Sequence, residues 1–327
     1  MKSVRALTTI FVLPILGAAG SQSCAQSYPA KPVRIIVGSA AGGNTDLAAR
    51  LYAQKLTDAL GQPTVVDIRV GASGAIASAY VAKSTADGYT LLLASTQFLI
   101  TPILSKSANY HPLKDFSPII LVSQAPAVLL VHPSLPVRSV AQLIDLAKAK
   151  PAALSYGSGG IGTSNYLAAE LFKAMAQVDI LHIPYKGAAP AVTGLLGGEI
   201  HVAFPVLNSA LGHLKSGRLR ALGVSSVKRA AAAPDIPTIT DSGLRGYETS
   251  PWAGLVAPAG TPRGVVERLN AVLEKVFSSS AGRDQLMAEG AEFVGGTPEQ
   301  FGAAMQSEFD KWTRILKAIG ISAESGN

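Results

Sequence analysis

Cysteine is almost missing from this chain. Its one copy, Cys24, lies within the first 25 of 327 residues, so whatever folds beyond that point does so without disulfides or cysteine-bound metal. Charged residues make up only 15% and aromatics 6%. The 28 basic and 21 acidic residues give a net charge of +7, but the basic ones form no Lys/Arg run and no basic helix face. A modest, scattered positive field suits a small acidic molecule and excludes a nucleic-acid partner as the expectation. Long apolar runs are absent after residue 25, so no membrane-spanning helix is expected there. The five histidines, His111, His132, His182, His201 and His213, show no metal-ligand spacing, and no HExxH occurs. Neither a metal site nor a cofactor is expected.

The first 25 residues do not read as fold. Lys2 and Arg5 make a basic start, residues 6–19 are apolar, and Ser23-Cys24-Ala25 is a small-x-small cleavage pattern. This is a secretory signal, 1–25, with cleavage expected after Ala25 and an apolar segment too short to cross a bilayer. Cys24 opens the alternative of lipid attachment, although Ser21-Gln22-Ser23 lacks the leucine that such a signal usually carries. The 302 residues that remain are enough for two domains with cores of their own.

What the chain does have is a device used twice. Val33-Arg34-Ile35-Ile36-Val37 is a short β-branched run of the kind that forms a covered parallel strand. Gly42-Gly43 then turns the backbone, Asn44 or Thr45 is placed to cap a helix, and Asp46 sits in its first turn, where the dipole favours negative charge. Apolar Ala48, Tyr52, Leu56 and Ala59 carry that helix to Leu60, and Gly61 ends it. About 120 residues on, Leu154-Ser155-Tyr156 is a strand, Gly157-Ser158-Gly159-Gly160-Ile161-Gly162 a turn, Thr163-Ser164-Asn165 a cap and 166–175 a helix. Strand, glycine turn and open helix end together aim unpaired N–H groups at one spot, a ready anion site. Two matched turns, one per domain, point to a shared carboxylate site. Helix ends supply about 0.3–1 kcal/mol each, up to ~2 when partly buried, so hydrogen bonds, water bridges and cleft closure must provide most of the affinity.

Between and after these turns, 64–68 and 89–94 read as strands around a helix near 75–83, which argues a doubly wound sheet. Apolar runs at 119–122 and 127–131 mark a crossing into a second domain. Ser139-Val140-Ala141-Gln142 is a capping box. Strands follow at 180–183, 201–204 and 219–224, with helices at 188–196 and near 209–215. The Trp-containing run 248–257 returns to the first domain. Thr261-Pro262 starts a helix with Val265, Leu269, Val272 and Val276 on one face. A capping box, Thr297-Pro298-Glu299-Gln300, precedes the stripe Phe301, Met305, Trp312 and Ile315 of a last helix, in which Met305 and Trp312 read as core.

Enzymatic motifs are weak. Gly157-x-Gly159-x-x-Gly162 fits the dinucleotide fingerprint, but Asp179 precedes the next strand instead of ending it, so no ribose-binding acid stands in place. Gly71-Ala72-Ser73-Gly74-Ala75 is one residue off a nucleophile elbow and reads as a turn serine. No acid/base pair announces itself, and no catalytic residue is assigned.

A longer co-linear set of motifs resembles a known family. It comprises Tyr28-Pro29-x-Lys31-Pro32, Gly42-Gly43-x-Thr45-Asp46, Leu60-Gly61-Gln62-Pro63, Asp87-Gly88-Tyr89-Thr90-Leu91, Asp115-Phe116, Gly162-Thr163-Ser164, Pro184-Tyr185-Lys186-Gly187 and Leu195-Leu196-Gly197-Gly198. Gly217-x-Leu219-Arg220-Ala221-Leu222, Pro234-Asp235-Ile236-Pro237-Thr238 and Ala257-Pro258-Ala259-Gly260-Thr261-Pro262 complete it. With these the chain resembles the Bug-type extracytoplasmic receptors of tripartite tricarboxylate transporters over essentially all of its length after the signal. The resemblance implies a type II periplasmic binding protein fold: two doubly wound α/β lobes, a ligand cleft and two hinge crossings, near 122–128 and 247–253. Lobe 1 is then 26–125 with 250–327, and lobe 2 is 126–249. It further implies a periplasmic monomer that delivers a small carboxylate to one large and one small integral membrane subunit.

Carried over by position, the ligand candidates are Ala41, Gly42, Gly43 and Thr45 from the first turn and Gly159, Gly160, Gly162, Thr163 and Ser164 from the second. Gln97, Tyr166, Tyr185 and Phe204 are carried over as pocket walls. Three departures stand out. Members often have Pro-Phe and a second Pro where this chain has Gly38-Ser39 and Ala41. Many have an acid or amide after the strand ending at Phe204, where Pro205-Val206 follows here. Tyr166 stands where His is common. Together they point away from an amino acid and toward a less polar carboxylate, aromatic or aliphatic dicarboxylic. An exported hydrolase or esterase using the cleft, and a ligand sensor for a signalling partner, are the alternative readings.

Overall fold

The computed structural model describes residues 28–321; the signal segment, Cys24 and the cleavage after Ala25 lie outside the described residues. The β-branched opening run forms β1 (Val33–Val37), and its glycine turn feeds α1 (Asn44–Leu60). Gly61 ends that helix in the left-handed region at φ 69°, its N–H donating to the Thr57 carbonyl. The cap is Gly43, one residue before the expected Asn44 or Thr45, and no side chain caps the helix. Next come β2 (Thr64–Ile68), α2 (Ala75–Ala82), β3 (Thr90–Ser95), α3 (Thr96–Leu104) and β4 (Phe116–Gln124). Sequence periodicity missed α3, because β3 runs straight into it with no glycine or proline between them.

The chain then leaves for β5 (Val128–Val131), α4 (Val140–Ala149), β6 (Ser155–Ser158), α5 (Ser164–Ala176), β7 (Leu181–Pro184), α6 (Ala188–Leu196), β8 (Val202–Ala203), α7 (Leu207–Lys215) and β9 (Arg220–Val224). Ser139 caps α4 as expected, its hydroxyl accepting from the Gln142 N–H, while the Gln142 side chain reaches one residue further back, to the Arg138 N–H. The return is β10 (Trp252–Pro258), α8 (Arg263–Ser278), α9 (Ser280–Ala288), β11 (Glu292–Phe293) and α10 (Pro298–Ala318).

These strands make two sheets, ordered β11-β4-β10-β3-β1-β2 and β7-β6-β8-β5-β9. Each has a parallel, helix-connected half: β2-β1-β3 in the first and β7-β6-β8 in the second. The strands next to the crossings pair antiparallel, β10 with β3 and β4, and β5 with β8 and β9. That follows from connectivity, since strands that exchange between sheets come back in the opposite sense.

The crossings are stapled by one buried serine. Ser225 Oγ accepts from the Ala127 N–H at 2.9 Å and donates to the Thr249 carbonyl at 2.5 Å, and its own N–H reaches the Ala127 carbonyl. One apolar cluster runs from Leu92 on the first sheet and Phe98 on α3 to Leu129 and Tyr156 on the second sheet, and each sheet has a further cluster on its other face. The stripe of α8 differs from expectation by one step. Val266, Leu269, Leu273 and Phe277 are buried, while Val265, Val272 and Val276 pack at the margin. On α10 the buried stripe is Phe301, Met305, Trp312 and Leu316. The Thr297/Gln300 capping box is complete, with both reciprocal hydrogen bonds formed. Thr297→Ala is therefore expected to cost about 1 kcal/mol, read as a lower urea midpoint with unchanged slope; an unchanged midpoint would show that tertiary packing alone sets the start of α10.

Candidate functional site

The first turn, 38–43, spends part of its hydrogen-bonding capacity on itself. Asp46 is 2% exposed, and its carboxylate accepts from the Gly42 N–H at 2.9 Å and from Arg50 Nε at 3.0 Å. Burial pushes its pKa up, but these two donors outweigh that and hold the carboxyl below the usual range. The Gly43 N–H goes to the Ala40 carbonyl. Among the described residues nothing accepts from the N–H groups of Ala41, Asn44 and Thr45, the orphan donors of an uncapped helix start. The Thr45 hydroxyl accepts from Ser39 at 2.9 Å and keeps its own proton to offer.

The second turn is built in the same way. The Gly159 N–H donates to Asn165 Oδ1, the Gly160 N–H to Ser158 Oγ, and the Thr163 N–H and hydroxyl to the Gly160 carbonyl. The N–H groups of Ile161, Gly162 and Ser164 have no acceptor among the described residues. Gly162, at φ +84°, brings the turn against the other lobe: a Cβ there would stand 3.1 Å from Leu104 Cδ1 of α3. Both turns thus keep an open helix end, and the second meets lobe 1 directly.

A third helix start joins them. Ser95 makes no side-chain cap on α3, and the N–H groups of Thr96 and Gln97 have no acceptor among the described residues; they stand at the end of β3, the strand paired with β1. Gln97 is half-buried there. A small recess of about 20 Å³ is lined among others by Thr96, Ser164, Thr249, Glu308, Lys311 and Trp312. Glu308 anchors it, accepting from Trp252 Nε1, from Trp312 Nε1 at 3.2 Å and from Thr96 Oγ1 at 3.3 Å. Burial pushes the Glu308 carboxyl up, partly offset by those donors and by Lys311. Sequence reasoning missed Thr96 and Glu308 altogether.

The wall candidates divide. Tyr166 lies on the first turn of α5, 6% exposed, with its ring 5.0 Å from that of His182. Desolvation, then the Glu170 charge, pushes its phenol up to about 12, so it stays a neutral donor. Tyr185 turns away from the cleft tip, over Gly194 and Gly157, with its hydroxyl donating to Glu199 at 3.2 Å. Phe204, read as a wall, is instead sealed in the lobe 2 core at 2% exposure, 5.6 Å from the Phe172 ring; an aromatic ending a central strand faces either cleft or core, and the α5 packing here takes the second. Beneath the second turn, Ser158 Oγ stands 2.7 Å from His182 Nε2. Burial lowers the His182 pKa, leaving the imidazole neutral near pH 7. No group of His, Cys, Asp and Glu that could hold a metal occurs among the described residues, and no helix there is long and apolar enough to cross a membrane.

Two α/β lobes joined by two adjacent crossings, with open helix ends at their facing edges, define a type II periplasmic binding protein. Solved structures agree. An R. palustris protein with adipate superposes at TM-score 0.84 with 38% identity, covering 90% of this chain and 99% of that one. MatC from Rhodopseudomonas palustris with bound malate superposes at 0.79 with 29% identity, covering 88% and 100%. Protein BugT of Bordetella pertussis is 36% identical over 322 residues, 98% of this chain and 99% of its own. The tripartite tricarboxylate transporter family receptor model matches residues 48–321. The chain belongs to that receptor family.

Proposed function

We propose that this receptor is periplasmic after cleavage at Ala25, that it captures a small, weakly polar dicarboxylate between lobe 1 (26–125 with 250–327) and lobe 2 (126–249), and that it hands the ligand to large and small membrane subunits as a monomer. The observation that carries this reading is the pair of glycine turns, each holding its shape with internal hydrogen bonds while leaving other N–H groups free. The carboxylates are taken by the spare donors, Ala41, Asn44 and Thr45 on one side and Ile161, Gly162 and Ser164 on the other. Gly42, Gly43, Gly159, Gly160 and Thr163 shape those turns, and Gln97 and Tyr166 border the ligand. No cationic side chain stands in either turn, so recognition rests on backbone donors, water bridges and closure of the cleft. The adipate and malate in related structures support a dicarboxylate, and the absence of a charge after Phe204 supports the less polar of the two. The Ser158–His182 pair has the reach of a nucleophile and base, but Ser158 is fully buried and its oxygen is occupied by Gly160, which favours a receptor over a hydrolase.

Thermal unfolding with adipate, an aromatic dicarboxylate, malate, citrate and aspartate, each beside its amide, tests this. At 100 times its dissociation constant a ligand adds about 2.7 kcal/mol and raises the midpoint by several degrees. The expected result is a shift with adipate or the aromatic acid that vanishes with the amide. Shifts confined to citrate or aspartate would overturn the weakly polar assignment, and shifts with none would overturn the carboxylate reading.

A further inference from the structure

We infer that Ser158 and His182 are positioning residues that set the second turn's shape and, through it, the affinity for the anion. The inference rests on the dicarboxylate reading of that turn but is separable from it. Gly160 sits at the tip with φ +110° and nothing within 4 Å of where a Cβ would be. Packing therefore does not hold it, and polar contacts must. Its N–H is held by Ser158 Oγ at 3.1 Å, and its carbonyl by the Thr163 hydroxyl at 2.6 Å. Ser158 is itself fully buried and placed 2.7 Å from His182 Nε2.

The imidazole is fixed in turn. It stacks on the Tyr156 ring at 4.8 Å and 22° and meets Tyr166 at 5.0 Å. Tyr156 donates to Glu170 at 2.6 Å, and Lys173 braces the same carboxylate at 2.9 Å. The body of α5 is thus connected to the turn's tip through Glu170, Tyr156, His182 and Ser158. The titratable groups facing His182 are Tyr156 from β6 and Tyr166, Glu170 and Lys173 from α5.

The protonation state of His182 acts through the Ser158 hydroxyl. With the neutral imidazole protonated at Nδ1, the tautomer the proposal takes, the Ser158 hydroxyl accepts from the Gly160 N–H and donates its own proton to Nε2. Charging His182 reverses that bond: Nε2–H donates to Oγ, and the hydroxyl proton turns toward the Gly160 carbonyl, 3.4 Å away and already taken by Thr163. The new cation lies under the turn that binds an anion, and a charge interaction outweighs one rearranged neutral hydrogen bond. A bound anion therefore favours protonated His182, and affinity rises as pH falls.

The test is adipate titration calorimetry on the full chain from about pH 8 to about pH 5, carried below the usual histidine range because burial lowers the His182 pKa, on wild type, S158A, H182F and H182Q, with Gly160 amide exchange measured in each by NMR. Wild-type affinity is expected to rise a few-fold across that range. S158A and H182F should bind roughly tenfold more weakly, the loss of one hydrogen bond's worth of order, and exchange the Gly160 N–H faster. H182Q, which returns an N–H near Nε2, should keep most of the affinity with a flat pH profile. Unchanged Gly160 exchange in S158A and H182F, or a pH dependence that persists in H182Q, would overturn the proposal. Wild type that binds no dicarboxylate while Gly160 exchange still follows His182 would sink the dicarboxylate reading and leave the positioning role standing.

Discussion

Replacing Glu308 by alanine is expected to lower the unfolding free energy by about 3 kcal/mol and to shift the native tryptophan emission. The carboxylate accepts from Trp252 at the start of β10, from Trp312 on α10 and from Thr96 at the start of α3. It ties a hinge-proximal strand, a cleft helix and the last helix to one point. Trp252 is 7% and Trp312 3% exposed, so truncation strands two indole donors away from water, each costing roughly 1–3 kcal/mol. The sequence has only two tryptophans, and both donate to this carboxylate, so emission reads the loss directly. The folded-state pKa is raised, burial being the largest cause. The native protein therefore holds this proton better than the unfolded chain, and that contribution is present below the ordinary glutamate value and lost as pH rises through the folded one. Urea unfolding of E308A, followed by circular dichroism, checks the stability; a loss under 1 kcal/mol with unchanged emission would mean the indoles find other partners and Glu308 is not the tie.

How much of this was legible in the sequence follows from the range of each interaction. The helix from Asn44 to Leu60, its glycine stop and both glycine turns were readable because strand propensity, turn chemistry and helix period agree within a few neighbouring residues. The cap was misplaced because Asp46 reaches back to the Gly42 N–H, which makes Gly43 the boundary and leaves Asn44 inside the helix. The α8 stripe slipped by a step because valines at 265, 266, 272 and 276 fit two faces, and only the packing of Leu273 and Phe277 chooses between them. Helix α3 carries Pro102 and follows its strand without a break, so period and punctuation both pointed elsewhere. Glu308 had no local signal at all: its bond to Thr96 spans 212 positions. His182 and Ser158 are nearer, 24 apart, yet only the parallel pairing of β6 with β7 sets them side by side. Motif resemblance supplied the candidates for the site, and three-dimensional contact shows which of their N–H groups lack an acceptor among the described residues.

Gly162→Val is expected to weaken dicarboxylate binding by about a hundredfold, or 2.7 kcal/mol, while both lobes stay folded. Two costs combine. The backbone at φ +84° penalises a side chain by roughly 1–2 kcal/mol. The added Cβ would stand 3.1 Å from Leu104 Cδ1, and branched methyls beyond it crowd that contact for about another 1–3 kcal/mol. The second cost belongs to the juxtaposed lobes, because Leu104 is carried by α3 of lobe 1 and Gly162 by the turn of lobe 2. Gly160→Val separates the two, since Gly160 also has positive φ, +110°, but no neighbour within 4 Å. It pays for backbone strain alone. Leu104→Ala added to Gly162→Val should recover the steric part of the loss and leave the strain. Titration calorimetry with adipate on the three variants decides the matter. If G162V binds as tightly as G160V, with no recovery from L104A, the cleft does not close against Leu104, and the approach of α3 to the second turn has no part in holding the ligand.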